Sequence, residues 1–277
     1  MRKIYERAMK FLRRVYNFSL WLRFALSMPV VVQNKFGIKF VLYPWQKKLV
    51  SWLVQGNEYE KEFGASDKLL SAGNIVVDVG ANVGINSTYY SRLVGSEGVV
   101  HSIEPVSATA HQLRTTLGLN SVDNVTVYQI ALGEEENKVT IFSHDQAHSA
   151  WSSLGLSSFK GVTAKPQQVN MKTLDGFCSA LDLGQIDFLK IDVEGYEIEV
   201  LRGGAELLNK GRVGVVQFEV SPDVCALLGR EPNEILVFLN SFGYEVYQFD
   251  GATEKFIGPM RSLPLVYDNY YACLRSL

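Results

Sequence analysis

The segment Ile75-Val76-Val77-Asp78-Val79-Gly80-Ala81-Asn82-Val83-Gly84-Ile85-Asn86 constrains the fold more than any other part of the chain. An apolar run ends in an acid, turns through two glycines and opens into a helical pattern. An open α/β sheet builds a nucleotide site in this way, from a strand, a tight glycine turn and a helix N-terminus. Twenty-four residues after Gly80, a second apolar run, Val99 to Ile103, ends in Glu104-Pro105. An acid at the tip of the second strand suits hydrogen bonds to ribose hydroxyls. The two acids point to a ligand that contains a nucleoside and is poor in phosphate.

The details of the turn discriminate between cofactors. Dinucleotide turns read Gly-x-Gly-x-x-Gly, because a pyrophosphate needs donors and no nearby negative charge. Here the pattern is Asp78-x-Gly80-x-Asn82-x-Gly84. Asn82 replaces the middle glycine, and the carboxylate of Asp78 would repel a phosphate while helping to anchor a cationic amino-acid group. S-adenosylmethionine carries an ammonium, a sulfonium and a ribose and has no phosphate. By itself the turn also fits an ordinary glycine-rich strand-to-helix connection; the spacing to Glu104 favours the ligand site.

A chain of 277 residues accommodates one large domain, or a domain plus an appendage. Its hydrophobic fraction of 47% and charged fraction of 20% are those of a soluble globular protein with a core. A net charge of −2 argues against general nucleic-acid binding, but the charge is unevenly spread. Residues 1–35 hold eight Lys and Arg against the single acid Glu6, which leaves 19 basic and 28 acidic groups in the remainder. Cys178, Cys225 and Cys273 lie far apart with no CxxC pair, which is neither a disulfide framework nor a zinc pattern, so no metal is expected. A reducing, cytoplasmic compartment is the simplest fit.

The apolar stretch from Phe18 to Val32 is interrupted by Arg23 and Pro29, which makes a poor secretion signal and a poor spanning helix. Upstream, Ile4, Ala8, Phe11, Val15, Phe18, Leu22 and Ala25 follow helical steps, and Lys3, Arg7, Lys10 and Arg14 do the same on another face. Such a basic amphipathic helix either packs on the catalytic domain or a second subunit, or lies on an anionic membrane surface. We expect residues 1–65 to form an N-terminal extension and 66–277 the ligand-binding domain.

Downstream, strands and helices alternate, which implies a mostly parallel sheet. Strands are expected at 75–79, 98–103, 125–130, 186–191 and 213–220. Strand-like pieces at 138–143 and 167–171 flank a Ser/Gly-rich stretch, and two aromatic strands near 243–249 and 267–274 would pair as an antiparallel edge. Residues 45–73 read as helical and polar, broken at Gly56 and Gly64, and 222–241 reads as one helical stretch.

Ligands bind at the carboxyl ends of strands in such a sheet. Those ends carry Asp78, Glu104, the run Lys190-Ile191-Asp192-Val193-Glu194, and Glu219. Lys190, Asp192 and Glu194 alternate and would share one face if the strand stays regular that far. They read either as an active-site cluster or as a salt-bridged strand end leading into an acidic first helical turn. A carboxylate there would accept or orient a substrate hydroxyl, with Lys190 keeping the acids ionised. His148 is a candidate general base from a covering loop, although an ordinary surface histidine is the simpler reading; His144 and His148 lack a periodic context for a metal site.

Asp78 to Gly84, Ile103-Glu104-Pro105, Ala131-Leu132-Gly133, Thr173-Leu174-Asp175 and Lys190-Ile191-Asp192-Val193-Glu194-Gly195 occur in an order that resembles the successive motifs of FkbM-type methyltransferases. The resemblance covers about residues 70–220. It implies an α/β, Rossmann-like class I sheet, seven-stranded and mostly parallel with an antiparallel edge. It implies S-adenosylmethionine contact by Asp78, Gly80, Asn82, Gly84 and Glu104, and makes Asp192 and Glu194 the leading active-site acids. The expected reaction is methyl transfer to a hydroxyl of a small molecule or glycan, with a sugar or glycolipid favoured. The rivals are a nicotinamide-dependent oxidoreductase, disfavoured by Asp78 and Asn82, and a non-catalytic cofactor- or membrane-binding module.

Overall fold

The computed structural model describes residues 28–43, 46, 57–143, 158–159, 162–163, 165–264, 266–274 and 277. The basic segment 1–27 and the histidines His144 and His148 lie outside the described residues. In chain order the strands are β1 (Val30–Gln33), β2 (Lys39–Leu42), β3 (Ile75–Val79), β4 (Val99–Ile103), β5 (Val125–Tyr128), β6 (Ala131–Leu132), β7 (Asn137–Ser143), β8 (Ser158–Phe159), β9 (Val162–Thr163), β10 (Lys165–Lys172), β11 (Ile186–Ile191), β12 (Val213–Val220), β13 (Glu245–Asp250), β14 (Lys255–Ile257) and β15 (Asp268–Cys273). The helices used below are α1 (Asn57–Leu69), α2 (Ile85–Val94), α3 (Ser107–Leu119), α4 (Leu174–Ala180), α5 (Glu197–Arg202), α6 (Ala205–Asn209), α7 (Pro222–Leu228) and α8 (Glu234–Ser241).

The main sheet has the order β14-β13-β15-β12-β11-β3-β4-β5. The five strands from β12 to β5 run parallel, and β15, β13 and β14 extend the sheet antiparallel. This is the expected mostly parallel sheet with an antiparallel edge, lengthened by the short outermost strand β14. The chain builds outward from β3 through β4 and β5, then returns to β11 on the other side of β3. That reversal opens a crevice at the carboxyl ends of β3 and β11, where open α/β sheets hold ligands.

Strand parity divides the core in two. Val77, Val79, Leu189, Ile191, Val216 and Phe218 belong to one apolar cluster together with α4 and α5. Val76, Phe188, Val215 and Tyr271 belong to another, with Ala65 of α1 and Tyr90 of α2. Being apolar on both faces is what a central parallel strand requires. On the second face the strand ends become polar. Ser102, Asp78, Lys190, Gln217 and Tyr271 stand side by side in register across five adjacent strands.

Two local expectations are corrected. Gly64 lies inside α1 and does not break it; a side chain there would press on the ring of Phe249, so the glycine serves close packing of α1 on β13. The stretch 222–241 is two helices, because Gly229 adopts the left-handed conformation that terminates α7 (φ 65°) and Pro232 follows. The β1–β2 hairpin docks on α3, where Asn120 Nδ2 donates to the Lys39 carbonyl at 2.6 Å and Gln112 Nε2 to that of Val41 at 2.6 Å. Strands β7 and β10 form a separate antiparallel pair, extended by β6.

Candidate active site

A cavity of about 370 Å³ opens at the carboxyl ends of β3, β11 and β12 and the amino end of the antiparallel β15. Gly80, Asn82 and Asn86 form one wall, Lys190, Asp192 and Glu219 another, and Glu62 of α1 closes the space from above. The glycine turn is pinned from below. Gly80 and Ala81 both donate their backbone N–H to the Ile103 carbonyl at 3.0 Å. Gly80 has φ 79°, and a side chain there would be driven into the carbonyl oxygen of Asp192. Gly84 (φ 85°) ends the turn at the start of α2, where a side chain would strike Leu113 of α3.

The five residues expected to hold the cofactor divide by position. Gly80 and Asn82 line the cavity, while Asp78, Gly84 and Glu104 do not. Asp78 is fully buried beneath the turn; Ser87 Oγ donates to its Oδ2 at 2.6 Å, and Lys190 Nζ lies 3.6 Å from its Oδ1. Burial raises the Asp78 carboxyl and Lys190 opposes that shift. An acid placed there is screened from the ligand that the sequence reading assigned to it. Glu104 stands at the tip of β4, where it accepts the N–H of Asn82 at 3.1 Å and of Val106 at 2.9 Å. It is pushed up to about 7, chiefly by burial, against those two hydrogen bonds.

Of the cluster at the end of β11, Lys190 and Asp192 meet and Glu194 departs. Lys190 Nζ donates to Asp192 Oδ2 at 3.1 Å. Burial would lower the Lys190 ammonium, but Asp192, Asp78 and Glu62 together hold it above its ordinary value. The alternation fails at Glu194 because β11 stops at Ile191. Glu194 and Gly195 then take positive φ, 55° and 94°. Glu197 stabilises this turn by accepting the N–H of Val193 at 3.0 Å and of Gly195 at 3.1 Å, and burial pushes it up to about 7. Glu194 thus leaves the strand's alternation and stands near the acids Asp192 and Glu197. Burial and those two neighbours raise its carboxyl. His148 lies outside the described residues.

Sequence reading singled out neither Glu62 nor Tyr267. Glu62 came within a segment read as a polar helix, and only packing of α1 over the sheet brings it to the cavity. Glu219, named as a strand end, accepts the Tyr267 hydroxyl at 2.5 Å and faces the same cavity. Burial raises Glu219, with Asp192 and Glu194 adding to the shift.

The Methyltransferase FkbM domain matches residues 78–246, more than half of the chain. The chain belongs to the FkbM methyltransferase family. Membership brings the cofactor with it, S-adenosylmethionine. The site suits that molecule: it presents a phosphate-free acidic cradle, and the buried Asn86 Oδ1 at its wall has no hydrogen-bond partner. This FkbM domain is 27% identical over 146 residues to Methyltransferase 1 of Beauveria bassiana, covering 47% of this chain and 58% of that protein. It is 26% identical over 149 residues to the 2-O-methyltransferase NoeI of Sinorhizobium fredii, covering 50% and 60%. The matches thus span less than two thirds of either relative. A solved SAM-dependent methyltransferase from Aquifex aeolicus is 16% identical over 82% of this chain and 93% of its own, with a TM-score of 0.42. A SAM-dependent O-methyltransferase from Thermotoga maritima is 14% identical over 88% and 77%, also with a TM-score of 0.42. No described helix of this FkbM protein is long and apolar enough to cross a membrane.

Proposed function

We propose that this FkbM protein transfers the methyl group of S-adenosylmethionine to a hydroxyl of a sugar or glycolipid. The observation that carries the reading is the cavity between the Gly80–Asn82 turn and the Lys190–Asp192 pair, which places a donor wall and an acidic acceptor wall in one enclosure. Support for oxygen as the acceptor comes from the 2-O-methyltransferase relative.

The cofactor supplies an electrophilic methyl on a positively charged sulfur. The chain's own residues have three tasks. The turn at Gly80 and Asn82 holds the nucleoside half, with Glu104 fixing the turn through the Asn82 N–H. Asp192 would accept the proton of the attacking hydroxyl, to which the bound cofactor would supply its methyl group. Lys190 positions Asp192 through their 3.1 Å hydrogen bond. Glu219 completes the acidic wall. Much of the acceleration comes from holding oxygen, carbon and sulfur in line inside a largely enclosed cavity.

Calorimetric titration with S-adenosylhomocysteine, followed by an acceptor screen with labelled methyl donor, tests the reading. Saturable binding that is lost in Glu104→Ala, with transfer to sugar hydroxyls, supports it. Asp192→Asn should retain binding and lower the transfer rate by roughly 10²- to 10⁴-fold. Absence of binding to folded wild type would remove the proposal.

A further inference from the structure

Three carboxylates, Glu62, Asp78 and Asp192, act on the single ammonium of Lys190. The group is therefore short of positive charge, and buried negative charge without a counter-ion is costly. Asp78 is shut off from the cavity by its burial, and Asp192 is taken by Lys190. Glu62 is only 7% exposed, yet it is part of the cavity wall. Asn86 Nδ2 at 2.9 Å, Tyr90 Oη at 3.2 Å and Gln217 Nε2 at 2.7 Å all donate to its Oε1. Among the described residues none donates to Oε2.

Buried polar atoms without partners occur at the cavity wall and in the strand row beneath it. Asn86 Oδ1, Gln217 Oε1, Asp78 Oδ1 and Tyr271 Oη all lack a hydrogen bond. Asn86 is 8% exposed and lines the cavity. Its amide is oriented by the bond to Glu62, which leaves the oxygen as an unused acceptor beside the carboxylate. At the cavity wall, Asn86 Oδ1 accepts only, as does the Glu62 carboxylate, so the group that fits beside them is a cation that donates several hydrogen bonds. A primary ammonium meets that description, having three donors and one charge.

We infer that Glu62 and Asn86 form the anchor for the ammonium of the cofactor's amino-acid arm. The inference rests on the S-adenosylmethionine reading above and assigns to α1 the role that the sequence assigned to Asp78. Burial raises the Glu62 carboxyl, against Lys190.

The test is calorimetric titration of the full chain with two probes: S-adenosylhomocysteine, and its deaminated analogue in which hydrogen replaces the amino group. Wild type should prefer the amine-bearing probe by a factor on the order of 10 to 100. Glu62→Gln should bring the two affinities to within about threefold of each other, with the analogue's own affinity little changed. Asn86→Ala should reduce the preference by an intermediate factor, and it decides the matter if Glu62→Gln does not fold. If wild type binds both probes equally, or if both variants keep the full preference, the anchor is overturned while the cofactor reading stands. If wild type binds neither probe, both readings fall.

Discussion

Lys190 is 2% exposed and lies between Asp78 and Asp192. In Lys190→Met the Asp78 carboxylate would lose the ammonium 3.6 Å from it, and breaking a buried pair from one side costs about 3–5 kcal/mol. Denaturant unfolding should show that loss, and adding Asp78→Asn should recover part of it. A cost below about 1 kcal/mol would mean that Asp78 is neutral in the folded protein. Gly80 is equally exacting. Gly80→Ala must hold alanine at φ 79° and move the Asp192 carbonyl, so it should unfold at lower denaturant and lose S-adenosylhomocysteine binding together. The glycine itself was legible in the sequence, since a strand-to-helix turn needs it. Its approach to Asp192 was not, because that contact is made between strands more than a hundred residues apart.

At the scale of elements, two of the ordered motifs prove to be joints. Thr173 caps α4 by accepting the Gly176 N–H at 3.0 Å. Asp175 accepts the N–H groups of Glu206 and Leu207, both at 3.0 Å, and so caps α6 from a different helix. Asp175→Ala should cost about 1 kcal/mol in chemical denaturation, with α6 losing amide protection before the rest of the chain. The carbonyl of Gly133 lies against Gly203, where any side chain would overlap it. That contact ties the Ala131-Leu132-Gly133 motif to the end of α5. Element type was readable throughout the parallel half because buried strands are continuous apolar runs flanked by turn residues. The helix break at Gly229 and the unbroken α1 at Gly64 were not, since the same residue terminates one helix and packs tightly in another.

Across the whole molecule, six buried acids, Glu62, Asp78, Glu104, Glu194, Glu197 and Glu219, have raised carboxyls, and burial is the first cause in each. An acid raised on folding adds stability below its unfolded value, near 4 to 4.5, and that contribution is lost as pH rises through the folded value. For Glu104 and Glu197 the folded value is about 7. The melting temperature should therefore fall between pH 5.5 and pH 8, and Glu197→Gln should flatten that slope. A melting temperature that rises over the same interval would show these acids ionised and paired in the folded state. Saturating S-adenosylhomocysteine, at about 100 times its dissociation constant, should raise stability by about 2.7 kcal/mol.

The sequence by itself determined the parallel sheet, the glycine turn, the acids at the ends of β3, β4 and β11, and the motif order that places the chain in its family. Each is local: a strand, a turn and a strand tip occupy a few consecutive residues whose pattern follows from backbone geometry and burial. Only the tertiary structure decided which acid lines the cavity. Asp78 ends an apolar strand and Glu62 lies in a polar helix, so nothing along the chain marks Glu62 out. Packing α1 over the row Asp78-Lys190-Gln217-Tyr271 buries the first and leaves the second at the cavity wall, because strand register and helix placement together determine which polar groups remain in contact with the cavity.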